Sequence, residues 1–283
     1  MSNFKRLLKR KVVIFSLIVI AIIVLSAIFA PLIAPNDPNT QFKEGLTLQD
    51  SPVPPNAQFL LGSDLLGRDL LSRLIYGART SLLVGLLANG VAVLIGTTLG
   101  VLAGFLRGRI GSIIMRFTDL MMAFPALLLA ITLAAIFSPS LFIVALVIAM
   151  VNWVQIARVV YSQTISISER EFIEASKSLG ATNGRILRRH ILPHLAPFIL
   201  VWATLGISTT VLLEATLSFL GIGVRPPTPS WGNIIFENQT YFQTAPWLVF
   251  LPGLAIILLA LSFNFLGDAL RDELDPTQRG RRA

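Results

Sequence analysis

The chain has 283 residues, of which 54% are hydrophobic and 13% charged, and its formal net charge is +8. This composition argues against a soluble globular domain and indicates an integral membrane protein. The chain contains no cysteine, which excludes disulfides, thiolate metal sites and cysteine nucleophiles. Its basic residues lie between apolar runs, so a lipid bilayer explains them better than a nucleic-acid partner, and its two histidines predict no metal site.

Six apolar stretches approach or exceed the length that a helix needs to cross a bilayer, about 20 residues. They are residues 12–34, 80–106, 117–137, 140–158, 196–221 and 246–267. Ser138-Pro139-Ser140 divides the third stretch from the fourth, because proline interrupts a helix. The first stretch is longer than the core of a signal peptide, roughly 7 to 15 residues, so it is predicted to stay as a membrane anchor. The sequence therefore predicts an all-α integral membrane protein with six transmembrane helices.

The basic residues are divided unevenly between the two sides that these spans define. Eighteen of the 23 lysines and arginines fall in the N-terminus, the 107–116 loop, the 158–189 segment and the C-terminal tail. By the positive-inside rule, both termini and the 159–195 loop are predicted to be cytoplasmic. The predicted organisation is a cytoplasmic N-terminus with the first span (1–34), an external segment (35–79), a five-helix core (80–267) and a cytoplasmic tail (268–283).

The external segment 35–79 is rich in proline in its first half and helical in pattern in its second half. Between residues 61 and 82, leucines and an isoleucine recur at helical spacing opposite Arg68, Asp69 and Arg73. We expect an amphipathic helix that lies on the outer membrane surface. A solvated helical linker is the alternative.

Gly96, Gly100 and Gly104 recur every four residues in the second span and therefore share one helix face. Small residues at this spacing let two helix backbones approach closely in lipid. The stripe is interpreted as a packing seam. Asn89, in the same span, contacts either another helix or a transport pathway, and the sequence does not decide between them.

Polar side chains at membrane depth are the usual markers of a pathway, because burying them without a partner is costly. Glu214 has no lysine or arginine in its own span, so it is either a hydrogen-bond partner for another helix or a contact for substrate. Asp119 is expected to pair with the neighbouring Arg116. The further candidate pathway residues, each of which could instead bond another helix, are Asn152, Trp153, Gln155 and Asn264.

The most informative segment is 171–197, a charged island between two apolar spans. Its helical first half, glycine break and proline-marked return to the membrane suit a surface helix that a soluble partner can grip. Glu174-Ala175-Ser176, followed by Gly180 and later by Leu192-Pro193, resembles the EAA signature of the permease subunits of ABC importers.

Three other strings are similar to permeases of the dipeptide, oligopeptide and nickel branch: LGSDLLGRDLLSRLIYGARTSL from residue 61, PPTPSWG from residue 226 and GDALRDELDP from residue 267. The chain resembles the C-type permease of that branch. The resemblance implies the type I importer fold, with one N-terminal helix, a five-helix core and a cytoplasmic coupling helix, in a prokaryotic cytoplasmic (inner) membrane. It implies that the residues coupling the chain to an ATPase are Glu171, Glu174, Ala175, Ser176, Gly180, Leu192 and Pro193.

The resemblance also implies partners: a homologous B-type permease, two ABC ATPase subunits and an external solute-binding protein that delivers short peptides. Nickel and glutathione importers of the same branch are alternatives, and the residues alone also allow a stand-alone secondary transporter. No lysine of the chain follows a glycine, as the phosphate-binding P-loop requires. We therefore expect no catalytic residue and no cofactor on this chain, with ATP and Mg²⁺ bound by the ATPase subunits.

Overall fold

The computed structural model of the chain describes residues 10–137 and 140–274, and the regular elements within those ranges are helical. The α-helices are α1 (Lys11–Ile28), α2 (Ala30–Ile33), α3 (Leu70–Leu106), α4 (Gly108–Met122), α5 (Ala126–Ile136), α6 (Leu141–Ser168), α7 (Glu171–Ser178), α8 (Asn183–Ile186), α9 (Leu192–Phe219), α10 (Trp231–Asn238) and α11 (Trp247–Leu274). A π turn (Leu187–Ile191) joins α8 to α9, and short 3₁₀ turns lie at Lys43–Gly45 and Gln239–Tyr241.

The described residues include five helices that are long and apolar enough to cross a membrane, or six if α4 and α5 together make one span. The prediction of an all-helical membrane protein is confirmed. The N-terminal helix α1 packs at the edge of the bundle against α11, where Val13 is buried with Ala269. Arg10, just before α1, forms an ion pair of 2.8 Å with Asp272 near the end of α11.

The predicted span 117–137 is not one continuous helix. The chain there forms α4 and α5, whose axes differ by 90° across a break of a few residues. Pro125 directly precedes α5, and a proline disfavours helical backbone at the residue before it, here Phe124. Ser138 and Pro139 of the predicted turn lie outside the described residues, while Ser140 caps α6 by accepting a hydrogen bond of 3.2 Å from the backbone N–H of Ile143.

The predicted surface helix over 61–82 is also wrong, because the chain becomes helical only at Leu70 and then continues into the second span without a break. The carboxylate of Asp69 caps this helix by accepting a hydrogen bond of 2.9 Å from the backbone N–H of Ser72. At 1.5 Å per residue, the 37 residues of α3 extend about 55 Å, well beyond a hydrocarbon core of about 30 Å. Helix α3 is therefore longer than a bilayer core is thick.

The glycine stripe of α3 faces α6. A Cβ atom built at Gly96 would lie 2.6 Å from the carbonyl oxygen of Trp153, and one at Gly100 would lie 2.6 Å from that of Ala157. At Gly104 the nearest atom of α6 would be 2.7 Å away. A Cβ atom does not fit at these distances. The backbones of α3 and α6 can approach each other this closely only because all three positions are glycine.

We predict that Gly100→Ala destabilises the subunit, because the new methyl group meets backbone that cannot move aside. Overpacking of this kind costs about 1 to 3 kcal/mol, and we expect a lower midpoint of thermal unfolding for the subunit in detergent or nanodiscs. Gly90→Ala on the same helix is the matched control, since a Cβ at Gly90 meets nothing within 4 Å. Equal unfolding midpoints for the two variants would contradict the prediction.

Candidate functional site

The segment predicted to couple the chain to an ATPase contains a separate eight-residue helix, α7, attached to the bundle by one side. Ile173 is buried in a cluster with Ile186, Ile191 and Leu195, which lie on the path that leads into α9. The other face is open, and Glu171, Glu174 and Ala175 are exposed while Ser176 is half-buried. The helix is thus anchored by an apolar residue and presents acidic and small side chains outward.

Gly180 ends α7 through a Schellman motif. Its N–H donates a hydrogen bond of 2.9 Å to the carbonyl oxygen of Lys177, and the N–H of Ala181 donates one of 3.0 Å to that of Ser176. The backbone of Gly180 has φ +80°, a conformation that glycine adopts readily, asparagine tolerates and β-branched residues avoid. The preceding Leu179 is 89% exposed, so the turn displays an apolar side chain beside the acidic face of α7.

The path back to the membrane becomes helical before the predicted span at 196–221 begins. The chain is helical again from Asn183, and Pro193 lies inside this helical path, two residues after the π turn. In that turn the N–H of Leu192 donates to the carbonyl oxygen of Leu187, five residues earlier. A proline ring clashes with the carbonyl group four residues before it in a regular α-helix, and the wider π turn relieves that clash without ending the helix.

Helix α7 is tied to both of the long helices that flank it. Only Glu169 and Arg170 separate it from α6. On the other side, the ring of Phe172 stacks on that of His194 in α9, with centroids 5.3 Å apart and planes inclined by 23°. A force applied to α7 therefore reaches α6 through the chain and α9 through packed side chains.

Glu214, in the middle of the second half of α9, is completely buried. Its carboxylate accepts hydrogen bonds from the hydroxyl groups of Ser81 in α3, at 3.0 Å, and Ser218 in α9, at 2.8 Å. The hydroxyl of Ser81 also accepts a hydrogen bond of 3.3 Å from the backbone N–H of Trp231 at the start of α10. The structure thus places Glu214 inside the subunit, where its carboxylate links α3 to α9 directly and to α10 through Ser81.

The other predicted pathway residues do not lie together. Asn152 and Gln155 of α6 line a cavity of about 130 Å³. Trp153 instead points the other way: it is buried and stacks on Phe117 of α4, with ring centroids 6.0 Å apart. Asn264 is half-buried in α11 and is not among the residues that line that cavity.

Asn89 joins the same cavity from α3. Its side-chain amide donates a hydrogen bond of 2.6 Å to the carbonyl oxygen of Ala203 in α9. Asn89 therefore both contacts another helix and lines a cavity, so the two interpretations that the sequence left open are compatible.

Sequence reasoning missed a buried cluster of charges on the side of the bundle that is predicted to be external. Arg68 contacts Asp64 at 2.6 Å and Glu237 at 2.7 Å, and Arg73 contacts the same two carboxylates at 3.2 and 2.7 Å. Arg68 and Arg73 were expected on the polar face of a surface helix, yet both are buried. The two carboxylates neutralise the two buried guanidinium groups and so offset the cost of removing those charges from water. One of the carboxylates, that of Glu237, belongs to α10, which lies far along the chain.

A second ion pair also differs from the expected one. Asp119 pairs with Arg158 of α6 and not with the neighbouring Arg116, so the pair ties α4 to α6. Arg107 and Glu169 make a similar exposed link, at 3.1 Å, between the end of α3 and the end of α6. Among the residues that the structure describes, no group of three or more histidine, aspartate and glutamate side chains is placed to hold a metal ion.

We predict that Glu214→Gln preserves the subunit while Glu214→Leu destabilises it. Glutamine can still bond both serine hydroxyls, whereas leucine leaves buried hydroxyl groups unpaired at a cost of about 1 to 3 kcal/mol. Thermal unfolding of the purified subunit would measure the difference. An unfolding midpoint for the leucine variant equal to that of the wild type would show that the carboxylate has no structural role.

The sequence matches two family profiles. The profile described as binding-protein-dependent transport system inner membrane component matches residues 96–280, and that of the N-terminal TM domain of oligopeptide transport permease C matches residues 2–55. The chain is 44% identical to the dipeptide transport system permease protein DppC of Alkalihalophilus pseudofirmus, over 98% of this chain and 89% of the relative. It is 36% identical to the oligopeptide transport system permease protein OppC of Bacillus subtilis, over 97% of this chain and 88% of that relative.

A solved structure supports the fold independently of these sequences. A chain of the MetNI methionine ABC transporter superposes with a TM-score of 0.60, over 71% of this chain and 95% of that one, at 20% identity. Together with the family profiles, which cover both the N-terminal segment and the helical core, this likeness confirms the predicted permease fold. The chain belongs to the family of binding-protein-dependent transport system inner membrane components.

Proposed function

We propose that this chain is the C-type permease of an ATP-driven importer and forms half of a pathway for short peptides. Relatives that cover nearly all of the chain are named as dipeptide, di/tripeptide and oligopeptide transport permeases. In this proposal a homologous permease supplies the other half of the pathway, and an external solute-binding protein delivers the peptide.

The observation that carries the proposal is the construction of α7. A short helix with an exposed acidic face and an exposed Leu179 is suited to a cleft on a soluble protein. Its direct connection to α6 and its stacking contact with α9 would turn a displacement of that protein into tilting of two membrane helices.

The energy source lies outside the chain in this proposal. Two ABC ATPase subunits bind ATP and Mg²⁺, and their closure moves the α7 helices of the two permeases together. The membrane helices then alternate between inward-facing and outward-facing arrangements. The residues of this chain that make the contact are Glu171, Glu174, Ala175, Ser176 and Gly180, whereas Leu192 and Pro193 shape the return into α9.

We predict that Gly180→Val uncouples the importer. Valine in the left-handed conformation costs roughly 1 to 2 kcal/mol, so the turn after α7 would change shape. The expected result is a subunit that inserts normally but retains less ATPase on purification, or drives less dipeptide uptake per ATP hydrolysed in proteoliposomes.

Two variants serve as controls for this experiment. Gly180→Asn keeps the turn, because asparagine tolerates the left-handed region, and should behave like the wild type. Gly184→Val adds the same bulk at an exposed helical glycine, where φ is not positive. If Gly180→Val binds the ATPase and drives uptake as well as Gly180→Asn does, α7 is only a connector.

We predict that α7 is cytoplasmic and the segment before α3 is external. The cysteine-free chain allows a direct test with single cysteines at Gln58 and Asn183, two exposed positions. An impermeant thiol reagent should label Gln58→Cys in intact cells and Asn183→Cys only after the membrane is opened; labelling of both in intact cells would refute the orientation.

A further inference from the structure

Two cavities lie next to each other in the helical bundle and share a wall. One, of about 130 Å³, lies between α3, α6 and α9 and is called here the polar chamber. The other, of about 400 Å³, lies between α6, α9 and α11 toward the ends that carry α7, and is called here the coupling-side cavity. Trp202 and Leu205 of α9 line both.

Half of the residues that line the polar chamber carry amide or hydroxyl groups. Asn89, Asn152, Gln155 and Thr209 supply its polar side chains, and none of its lining residues among those described is charged. Amide groups both donate and accept hydrogen bonds, as the peptide groups of a substrate do. An uncharged wall of this kind can bind a peptide backbone without favouring either sign of side-chain charge.

The position of the chamber in the bilayer makes its polarity informative. Gln155 is at the midpoint of the 28-residue α6, about 21 Å from each end at 1.5 Å per residue. Gln155 and Thr209 are nevertheless exposed on the surface of the single subunit. Polar groups are expensive against hydrocarbon, so this face is suited to a water-filled space or to a partner subunit and not to lipid.

The back of the chamber is held by polar contacts between helices. Asn89 bonds Ala203 of α9, and the amide of Asn152 lies 3.4 Å from the hydroxyl of Thr210. Gly206 leaves room for the side chain of Asn89, since a Cβ there would collide with it. Asn89 and Asn152 thus fix the shape of the polar chamber, while Gln155 and Thr209 lie at its open side.

The wall between the two cavities is set by α9 and α11. Leu205 lies against Gly267 of α11, where a Cβ atom would occupy the same space as the leucine side chain. Trp202 is half-buried beside it, about one turn nearer to α7. Because α9 is also the helix that contacts α7 through His194, a tilt of α9 would move this wall.

We propose that the polar chamber is a binding subsite for the backbone of the transported peptide, with Trp202 and Leu205 as its floor. The inference rests on the function proposed above and adds a location and a chemistry to it. Its specific consequence is that a charge placed in the chamber makes transport depend on the charge of the peptide side chain.

The experiment uses the complete importer, with its ATPases and binding protein, in proteoliposomes. Gln155→Glu and Gln155→Lys are compared with the wild type for ATP-driven uptake of alanyl-lysine and alanyl-glutamate. We expect the ratio of lysyl to glutamyl peptide uptake to rise several-fold for Gln155→Glu and to fall several-fold for Gln155→Lys. The binding protein is the same in every sample, so its own preference cancels in the comparison.

Gln243→Glu is the matched control, because Gln243 is exposed on the loop before α11, away from the chamber, and should leave the ratio unchanged. An unchanged ratio in transporting Gln155 variants would overturn the subsite while leaving the proposed function intact. If the Gln155 variants do not assemble, the same uptake ratio is measured for Thr209→Asp and Thr209→Lys. The ratio should rise for Thr209→Asp and fall for Thr209→Lys, and an unchanged ratio would overturn the subsite. A wild-type importer that takes up neither peptide would instead refute the proposed function.

Discussion

The close approach of α3 and α6 is the constraint on which the rest of the bundle depends. In lipid no hydrophobic force draws helices together, so packing must come from backbones that fit. Gly96, Gly100 and Gly104 provide that fit, with backbone and side-chain atoms of α6 within 3 Å of where their Cβ atoms would be. This contact fixes the position of α6 along the axis of α3 and its rotation about its own axis. Since α6 carries Gln155 at its centre and leads directly into α7, the same seam positions both the polar chamber and α7.

The two ends of the bundle are held by different chemistry. At one end, two arginines share two carboxylates in a buried cluster. At the same end, Glu214 accepts hydrogen bonds from serine hydroxyl groups of α3 and α9. At the other end the ion pairs Arg158–Asp119 and Arg107–Glu169 are about half exposed, where each contributes little to stability. Groups held in a buried polar network have few alternative partners, whereas exposed ion pairs exchange easily with water. The end with the exposed pairs is the one that carries α7, and this is the end that must move in the proposed mechanism.

Hydropathy and local motifs predicted the spans, the separate helix at Glu171 and the turn at Gly180, because these depend on neighbours in the sequence. They could not predict contacts between distant segments. Arg73 and Glu237 are 164 positions apart, and without that partner the charges around Arg68 looked like a solvated face. The break at Pro125 had a local signal, a proline after Ala123-Phe124, but the uncharged run around it resembled an ordinary span. No local signal in the sequence predicted the π turn before Pro193, because a proline at that position equally predicts the start of a helix.

The polar chamber shows why composition alone did not separate pathway residues from structural ones. Asn152, Trp153 and Gln155 lie within four residues of one another, but successive residues of a helix are about 100° apart around its axis. Asn152 and Gln155 therefore share the face that lines the chamber, while Trp153 lies on another face. Trp153 packs on α4, Asn152 reaches Thr210 and Gln155 faces the open side. Glu214, the charged residue that the sequence singled out, is completely buried and accepts a serine hydrogen bond on each carboxylate oxygen. In the proposed pathway, a neutral amide that faces open space near the middle of a spanning helix is therefore a better candidate for a substrate contact than a buried carboxylate whose oxygens are already hydrogen-bonded.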